Sequence, residues 1–171
     1  TPETLDYSTG ADTWAAYRGR KGQIAVTSAH SYLLEYALVD ASDAVTIPTR
    51  DGSRLALAET WSYALVNTGP DRYLYALALV NWMTQPENLG EWSLDAGYLP
   101  PMIDAVSLWP AKAPRNFARE ILSASIPKPD DSVLSSAGPE LSKAIARVIL
   151  GQAEPAAAAL EVVRAIGSGP D

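Results

Sequence analysis

The stretch that decides the fold is residues 68–87, which read TGPDRYLYALALVNWMTQPE. It holds two helix-start signals with a proline inside the first turn, TGPD at 68–71 and TQPE at 84–87. Between them, residues 73–83 are apolar on nearly all sides, which predicts a helix packed on more than one side. A further helix should follow the second signal and stop at Gly97, a residue type that favours the end of a helix.

Short strands are predicted before this stretch. Runs that are rich in β-branched residues or that alternate with period two stand at residues 23–28, 45–47, 55–58 and 61–66. A Thr-x-x-Asp signal from Thr9 to Asp12 predicts a short helix near the start of the chain. Four short strands are too few for a doubly wound sheet, so the chain resembles a part of an α/β protein rather than a whole one.

Helices alone are predicted after this stretch. Their apolar residues recur at helical spacing in residues 116–124, 141–149 and 155–166. Residues 125–139 are rich in Pro, Asp, Ser and Gly, which predicts a long loop. The sequence therefore predicts a mixed short sheet with many helices.

The composition argues against several classes of function. The 171 residues carry a net charge of −7 without Lys/Arg clusters, which disfavours nucleic acid and anionic membranes as partners. There is no Cys and the single histidine is His30, so we expect neither a metal site nor a cofactor. No apolar run approaches the roughly 18 residues that span a bilayer, and no signal peptide is visible. Because the chain starts at Thr1, we expect a processed product or a piece of a longer protein.

Sequence motifs of enzymes are also missing. Neither a G-x-S-x-G nucleophile elbow nor a dinucleotide or P-loop signature occurs, and the carboxylates are scattered. We therefore expect no catalytic residues. One enzymatic alternative stays open, a carbohydrate-active enzyme using Glu59 and Asp95, whose carboxyls would need to converge within about 10 Å.

Aromatic residues suggest binding. Five Trp and eight Tyr stand against one Phe, and rings with a polar tip are typical of ligand and partner sites. Trp82 and Trp92 fall on predicted helices, where we expect them to be core or helix-packing residues. Other rings stand at strand ends or in loops, where a structural role and a ligand contact both stay open: His30, Tyr32, Trp61 and Tyr98.

Trp61 has polar neighbours on both sides. Burying Glu59, Thr60 and Ser62 without hydrogen-bond partners would cost about 1–3 kcal/mol each. We therefore expect Trp61 to lie partly exposed at a concave surface, with Tyr98 in the same region.

Four blocks of sequence carry a resemblance to a known family. They are YRGRKGQIAV at 17–26; VTIPT at 45–49 with Asp-Gly at 51–52; WSYALVN at 61–67 with the apolar run 73–83 and Gly-Tyr-Leu-Pro at 97–100; and Pro-x-Pro at 127–129 with the last two helices. In this order they resemble the C-terminal half of extracellular solute-binding proteins of family 1, the maltose-binding-protein-like receptors of ABC importers. The blocks span nearly the whole chain.

The resemblance implies a fold and a domain organisation. The fold would be α/β, of the type II periplasmic-binding-protein-like kind, represented by its C-terminal half only. Residues 1–60 would belong to the C-terminal lobe up to the hinge, residues 61–125 to a segment of the N-terminal lobe, and residues 126–171 to C-terminal lobe helices. An isolated half would expose surface that the missing part covers, so we expect a second copy to complete it as a homodimer.

The resemblance also implies a function. The chain would belong to the non-enzymatic substrate-binding component of an ABC importer, which captures a small extracellular solute, carbohydrate first, by hinge closure of an interlobe cleft. Its partners would be that solute and the ABC permease subunits, with membrane contact only through a lipid anchor or the permease outside this chain. The location would be extracellular or periplasmic, with lipoprotein anchoring in the full-length protein. Ligand contacts are expected at His30, Tyr32, Glu59, Trp61 and Tyr98.

A second class of function stays open. The chain would then be a helical protein-interaction module without a ligand cleft, in which Trp61 and Tyr98 are core residues.

Overall fold

The computed structural model describes residues 2–38, 43–49, 51–66 and 69–167. These residues form eight α-helices, a 3-10 helix at Pro2–Asp6 and a small three-stranded sheet, so the chain belongs to the mixed α/β class. By contacts it divides into two compact units, one of residues 9–127 and one made from the described parts of 1–8 and 128–171. The assignment of residues 1–60, 61–125 and 126–171 to receptor lobes stays a prediction. Among the described helices, none combines the length and hydropathy that crossing a bilayer requires.

The larger unit begins with two short helices, α1 at Gly10–Arg18 and α2 at Ala29–Glu35. The predicted capping box is confirmed, since the Thr9 side chain accepts from the Asp12 N–H while the Asp12 carboxylate accepts from the Thr9 N–H at 2.8 Å. The strand predicted at residues 23–28 is wrong, because this segment runs beside α1 rather than beside another strand. Its Thr27 hydroxyl donates to the Gly10 carbonyl at 2.8 Å.

Three short strands form the sheet: β1 at Ile47–Pro48, β2 at Arg54–Ala58 and β3 at Ser125–Pro127. β1 lies antiparallel to β2, and β2 lies parallel to β3 with Ala56 opposite Ser125. The strand predicted at 55–58 is confirmed within β2, and the one at 45–47 overlaps β1 only at Ile47. The strand predicted at 61–66 is wrong, since this segment is irregular and the neighbouring edge of β2 is taken by β3.

Four helices lie between β2 and β3: α3 at Pro70–Met83, α4 at Pro86–Asp95, α5 at Ile103–Ser107 and α6 at Arg115–Ala124. The prediction of helices alone in this half of the chain is wrong at β3, which follows α6. Both helices begin at the predicted prolines. The cap predicted at Thr84 is wrong, because Gln85 precedes α4 without a side-chain cap bond and Thr84 bonds back to α3. Thr68, part of the first signal, lies outside the described residues. The packing expected of α3 is wrong, because none of its residues is buried. Gly97 follows α4 with a φ of +69°, the left-handed conformation predicted for this glycine.

The core of the larger unit lies against the inward side of α4, the side of Leu89, Gly90 and Ser93. It is formed by buried residues of α2, α5, α6 and the loop between the last two: Leu33, Val106, Trp109, Ala113 and Ala118. The Trp109 indole N–H donates to the Gly90 carbonyl on α4 at 2.9 Å. A Cβ at Gly90 would lie 2.7 Å from the Ala105 carbonyl oxygen, so only glycine allows α4 and α5 to approach this closely. These contacts fix which side of α4 faces inward.

The smaller unit contains α7 at Asp131–Ile149 and α8 at Pro155–Gly167, which pack on each other. Arg147 on α7 pairs with Glu161 on α8 at 2.6 Å. The loop predicted at residues 125–139 is wrong, because β3 and the first half of α7 occupy it and Pro139 lies inside the helix. The serines that suggested a loop bond within the helix instead: the Ser135 hydroxyl donates to the Ser132 carbonyl at 3.0 Å.

Candidate ligand-binding groove

A groove with a cavity volume of about 330 Å³ lies on the larger unit. This volume is at the lower end of the roughly 300–1,000 Å³ typical of small-molecule sites. Its wall combines one residue of segment 61–66, the end of α3 and one side of α4: Tyr63, Trp82, Met83, Asn88, Leu89, Glu91, Trp92 and Asp95. We call it the aromatic groove, after its three large rings.

The corner between α3 and α4 holds the groove in shape. Trp82 stands in the last turn of α3, and its carbonyl accepts from the Asn88 side-chain amide on α4 at 2.8 Å. The Thr84 hydroxyl, between the helices, donates to the Val80 carbonyl at 2.9 Å. Pro86 then begins α4, where the backbone N–H that proline lacks would have no partner within the helix. The short connection and these bonds set Trp82 and Trp92 on the same groove.

Trp82 and Trp92 were expected to be core or helix-packing residues, and the core placement is wrong. Their side chains are 56% and 55% exposed. The physical reason lies in α4, which turns Leu89, Gly90 and Ser93 inward onto the core and thereby leaves Trp92 at the surface.

Three aromatic rings form a stack that ends at the groove. The Trp92 ring stacks on Tyr98, with centroids 6.0 Å apart and planes 11° from parallel. Tyr98 also stacks on His30, with centroids 4.5 Å apart and planes 19° from parallel. The His30 Nδ1 lies 3.1 Å from the Gly97 carbonyl, and because a carbonyl only accepts, Nδ1 carries the hydrogen of that bond. We call these three residues the aromatic stack.

Gly97 lets the aromatic stack form. A Cβ at this position would lie 2.6 Å from Leu34 Cγ and 3.2 Å from the Leu34 backbone nitrogen. The glycine therefore combines a left-handed backbone with a close approach to α2. This approach brings Tyr98 next to His30.

The structure places the five expected ligand contacts in three different settings. His30 and Tyr98 come together in the aromatic stack, which touches the groove through Trp92. Tyr32 is a packing residue: its ring meets Phe117 edge-on at 5.0 Å. Glu59 and Trp61 lie in an exposed segment and do not line the groove.

Tyr32 also has a perturbed hydroxyl. Burial is the main cause that raises the pKa of Tyr32 above 10.0, and the nearby Asp43 and Tyr17 raise it further. A second edge-on contact, to Trp14 at 6.1 Å, fits the same enclosed position. The side chain thus supports the α1–α2 region rather than a ligand surface.

The expected exposure of Trp61 is confirmed, whereas its placement at a concave surface is not, since Trp61 does not line the groove. Trp61 is 89% exposed, and among the described residues it has no ring contact with another aromatic side chain. Its neighbour two positions on, Tyr63, is the residue of this segment that reaches the groove.

The groove carries negative charge. Glu91 and Asp95 are four residues apart on α4, so they share one side of the helix, and both line the groove. Neither forms an ion pair with a Lys or Arg of the described chain, and no Lys or Arg lines the groove. Within the same described ranges, no group of three or more His, Asp or Glu is placed to hold a metal ion.

Sequence reasoning missed most of the groove. Tyr63, Trp82 and Trp92 were not candidates, although a signal was present: Trp92 lies between two carboxylates of one helix side, Glu91 and Asp95. A tryptophan so flanked is poorly suited to a dry core, because burying those charges unpaired is costly.

Comparison of the chain with protein-family models, with curated proteins and with solved structures finds no match. The resemblance to family 1 solute-binding proteins therefore depends on the four sequence blocks alone.

Proposed function

We propose that this chain is part of the substrate-binding component of an ABC importer and that it captures a small extracellular solute in the aromatic groove. The observation that carries the proposal is the set of three half-exposed rings, Tyr63, Trp82 and Trp92, around one cavity of about 330 Å³. Exposed rings that converge on one concavity gain free energy when a ligand covers them, at about 25 cal/mol per Å² of apolar surface.

The order of the four sequence blocks supports the same proposal. The groove residues all fall within 61–125, the segment that the resemblance assigns to the N-terminal lobe of a type II periplasmic-binding-protein-like receptor. In such a receptor the groove would form one face of the ligand cleft, and hinge closure would cover it. A carbohydrate is the ligand class that the resemblance predicts, ABC permease subunits are the expected partners, and an extracellular or periplasmic location goes with them.

Calorimetric titration of the chain with a panel of sugars, polyols and small organic ions tests the proposal. We expect at least one solute to bind, and we expect Trp82→Ala to weaken it at least tenfold. Tyr75→Ala is the matched control, because Tyr75 is an exposed ring on the same helix outside the groove. Absence of binding across the panel, or equal losses in both variants, would overturn the proposal.

The interaction-module alternative also has an observation in its favour. α3 exposes a row of large apolar side chains, Leu74, Tyr75 and Leu79, outside the groove. Such a face is typical of a helix that packs against another protein. If the chain is an interaction module that pairs with a second copy through this face, a sedimentation series should show association that Tyr75→Ala weakens, and no solute of the panel should bind.

A further inference from the structure

We infer that the aromatic groove selects a small solute with a quaternary ammonium head group, a choice that rests on the proposed function of the groove as a solute site. The inference combines three features of the wall: its aromatic faces, its two carboxylates, and its soft apolar side chains.

The aromatic faces attract cations. An aromatic ring carries negative potential on its face, and a cation within about 6 Å of the ring centroid is stabilised by it, most strongly over tryptophan. Two of the three rings of the groove are tryptophans, Trp82 and Trp92. Because Trp92 stacks on Tyr98, and Tyr98 on His30, its orientation is set before a ligand arrives. Preorganisation of this kind lowers the entropic cost of binding.

The carboxylates supply charge complementarity. Glu91 and Asp95 give the wall two negative charges at pH 7, and no positive side chain of the wall offsets them. Carboxylates only accept hydrogen bonds. One N–H of Asn88, the amide of the wall, already goes to the Trp82 carbonyl. The hydroxyls of a neutral sugar can donate to these carboxylates, but only a cation also gains from their negative charge.

The apolar side chains favour methyl groups on that cation. Met83 and Leu89 line the groove beside the rings. A methylated ammonium places apolar surface against them and loses less hydration than a primary ammonium does. The cavity of about 330 Å³ has room for a trimethylated ammonium group.

Choline and its neutral isostere 3,3-dimethylbutan-1-ol test the inference. They have the same shape, but the isostere has carbon in place of the charged nitrogen. In calorimetric titration at low ionic strength we expect choline to bind at least tenfold more tightly than the isostere and than maltose. Absence of choline binding, or equal binding of choline and the isostere, would overturn the inference.

Variants of Glu91 and Asp95 test whether these carboxylates attract the charge of choline. The double variant Glu91→Gln/Asp95→Asn keeps the shape of the wall and should weaken choline about tenfold while leaving the isostere unchanged. Glu87→Gln is the control, since Glu87 lies on the same helix outside the groove. Circular dichroism checks the fold, and Asp95→Asn alone repeats the test if the double variant unfolds. A choline affinity that survives both Asp95→Asn and the double variant would overturn the inference.

The titrations also separate the inference from the proposed function. If maltose or another neutral solute binds and requires Trp82 while choline does not bind, the ammonium selectivity is wrong and the solute site stands. If no solute of the panel binds, both are wrong.

Discussion

The imidazole of His30 lies on the phenol ring of Tyr98, with centroids 4.5 Å apart and planes 19° from parallel. Since Tyr98 also stacks on Trp92, a residue of α2 is joined to the groove through two ring contacts. The polar anchor of this arrangement is the bond between His30 and the carbonyl of Gly97. The position of the groove on α4 thus depends on how closely residue 97 approaches α2.

Gly97→Ala should destabilise the larger unit by about 2–5 kcal/mol. This adds about 1–2 kcal/mol for a left-handed backbone at φ +69° to about 1–3 kcal/mol for overpacking against Leu34. Urea unfolding measures the loss. Gly52→Ala is the matched control, because Gly52 has a φ of +76° but nothing within 4 Å of its added Cβ. Equal losses in the two variants would contradict the close approach.

Trp61→Ala should leave the melting temperature nearly unchanged, with a stability change within about 0.5 kcal/mol, because the side chain is 89% exposed. Trp109→Ala should cost about 3–5 kcal/mol, since Trp109 is buried and its indole bonds to Gly90. Thermal melts followed by circular dichroism compare the two. A large drop for Trp61→Ala would make Trp61 a core residue.

The same Trp61 variant distinguishes the groove from the site that the resemblance implies. Trp61 does not line the groove, so its removal should change ligand affinity less than Trp82→Ala does. The resemblance instead predicts a loss of about 1–3 kcal/mol in binding free energy at Trp61. Titration of both variants with one bound solute decides between these positions.

Asp51 should titrate at unusually low pH. Hydrogen bonds from the Ser53 side chain, then from the Ser53 backbone and from Thr49, hold the pKa of Asp51 down to about 2. The stability they contribute is fully present above the ordinary pKa of 3.8 and is lost as the pH falls from there through about 2. Carboxyl NMR checks the midpoint, and Asp51→Asn should remove this part of the acid dependence. A midpoint near 3.8 would contradict the bonded turn.

Glu35→Ala should weaken the contact between α1 and α2. The Glu35 carboxylate accepts from the Trp14 indole and from Arg18, both at 2.5 Å, and the indole N–H would lose its partner. We expect a loss of about 1–3 kcal/mol in the free energy of unfolding. The control is Glu87→Ala, which removes only the helix-end charge of α4, worth about 0.3–1 kcal/mol. Similar losses would mean that Glu35 does not tie the helices together.

Helix positions could be predicted because their signals are local. Pro70, Pro86 and Gly97 mark the starts of α3 and α4 and the end of α4 within a residue or two of the chain itself. The sheet could not be predicted in this way, since the partner of β2 stands far along the chain, at Ser125–Pro127, in a stretch whose composition is typical of a loop.

The candidate site was predicted only at its edge. His30 and Tyr98 were expected and do come together. The groove itself was missed because the exposure of Trp92 depends on which side of α4 faces the core. That choice is made by the approach of Gly90 to Ala105, a tertiary contact that helical periodicity does not reveal, and the flanking carboxylates Glu91 and Asp95 were the local signal of exposure.

The division of the five tryptophans between core and surface has an optical consequence. Trp14 and Trp109 are buried, whereas Trp61, Trp82 and Trp92 are more than half exposed. Since a solvent-exposed indole fluoresces at longer wavelength than a buried one, we expect these three residues to emit at nearly the same wavelength in the folded and the unfolded chain. A spectral shift on denaturation would come chiefly from the two buried indoles. A ligand in the aromatic groove would instead shield Trp82 and Trp92 from acrylamide, so quenching reports occupancy while the emission maximum reports the core.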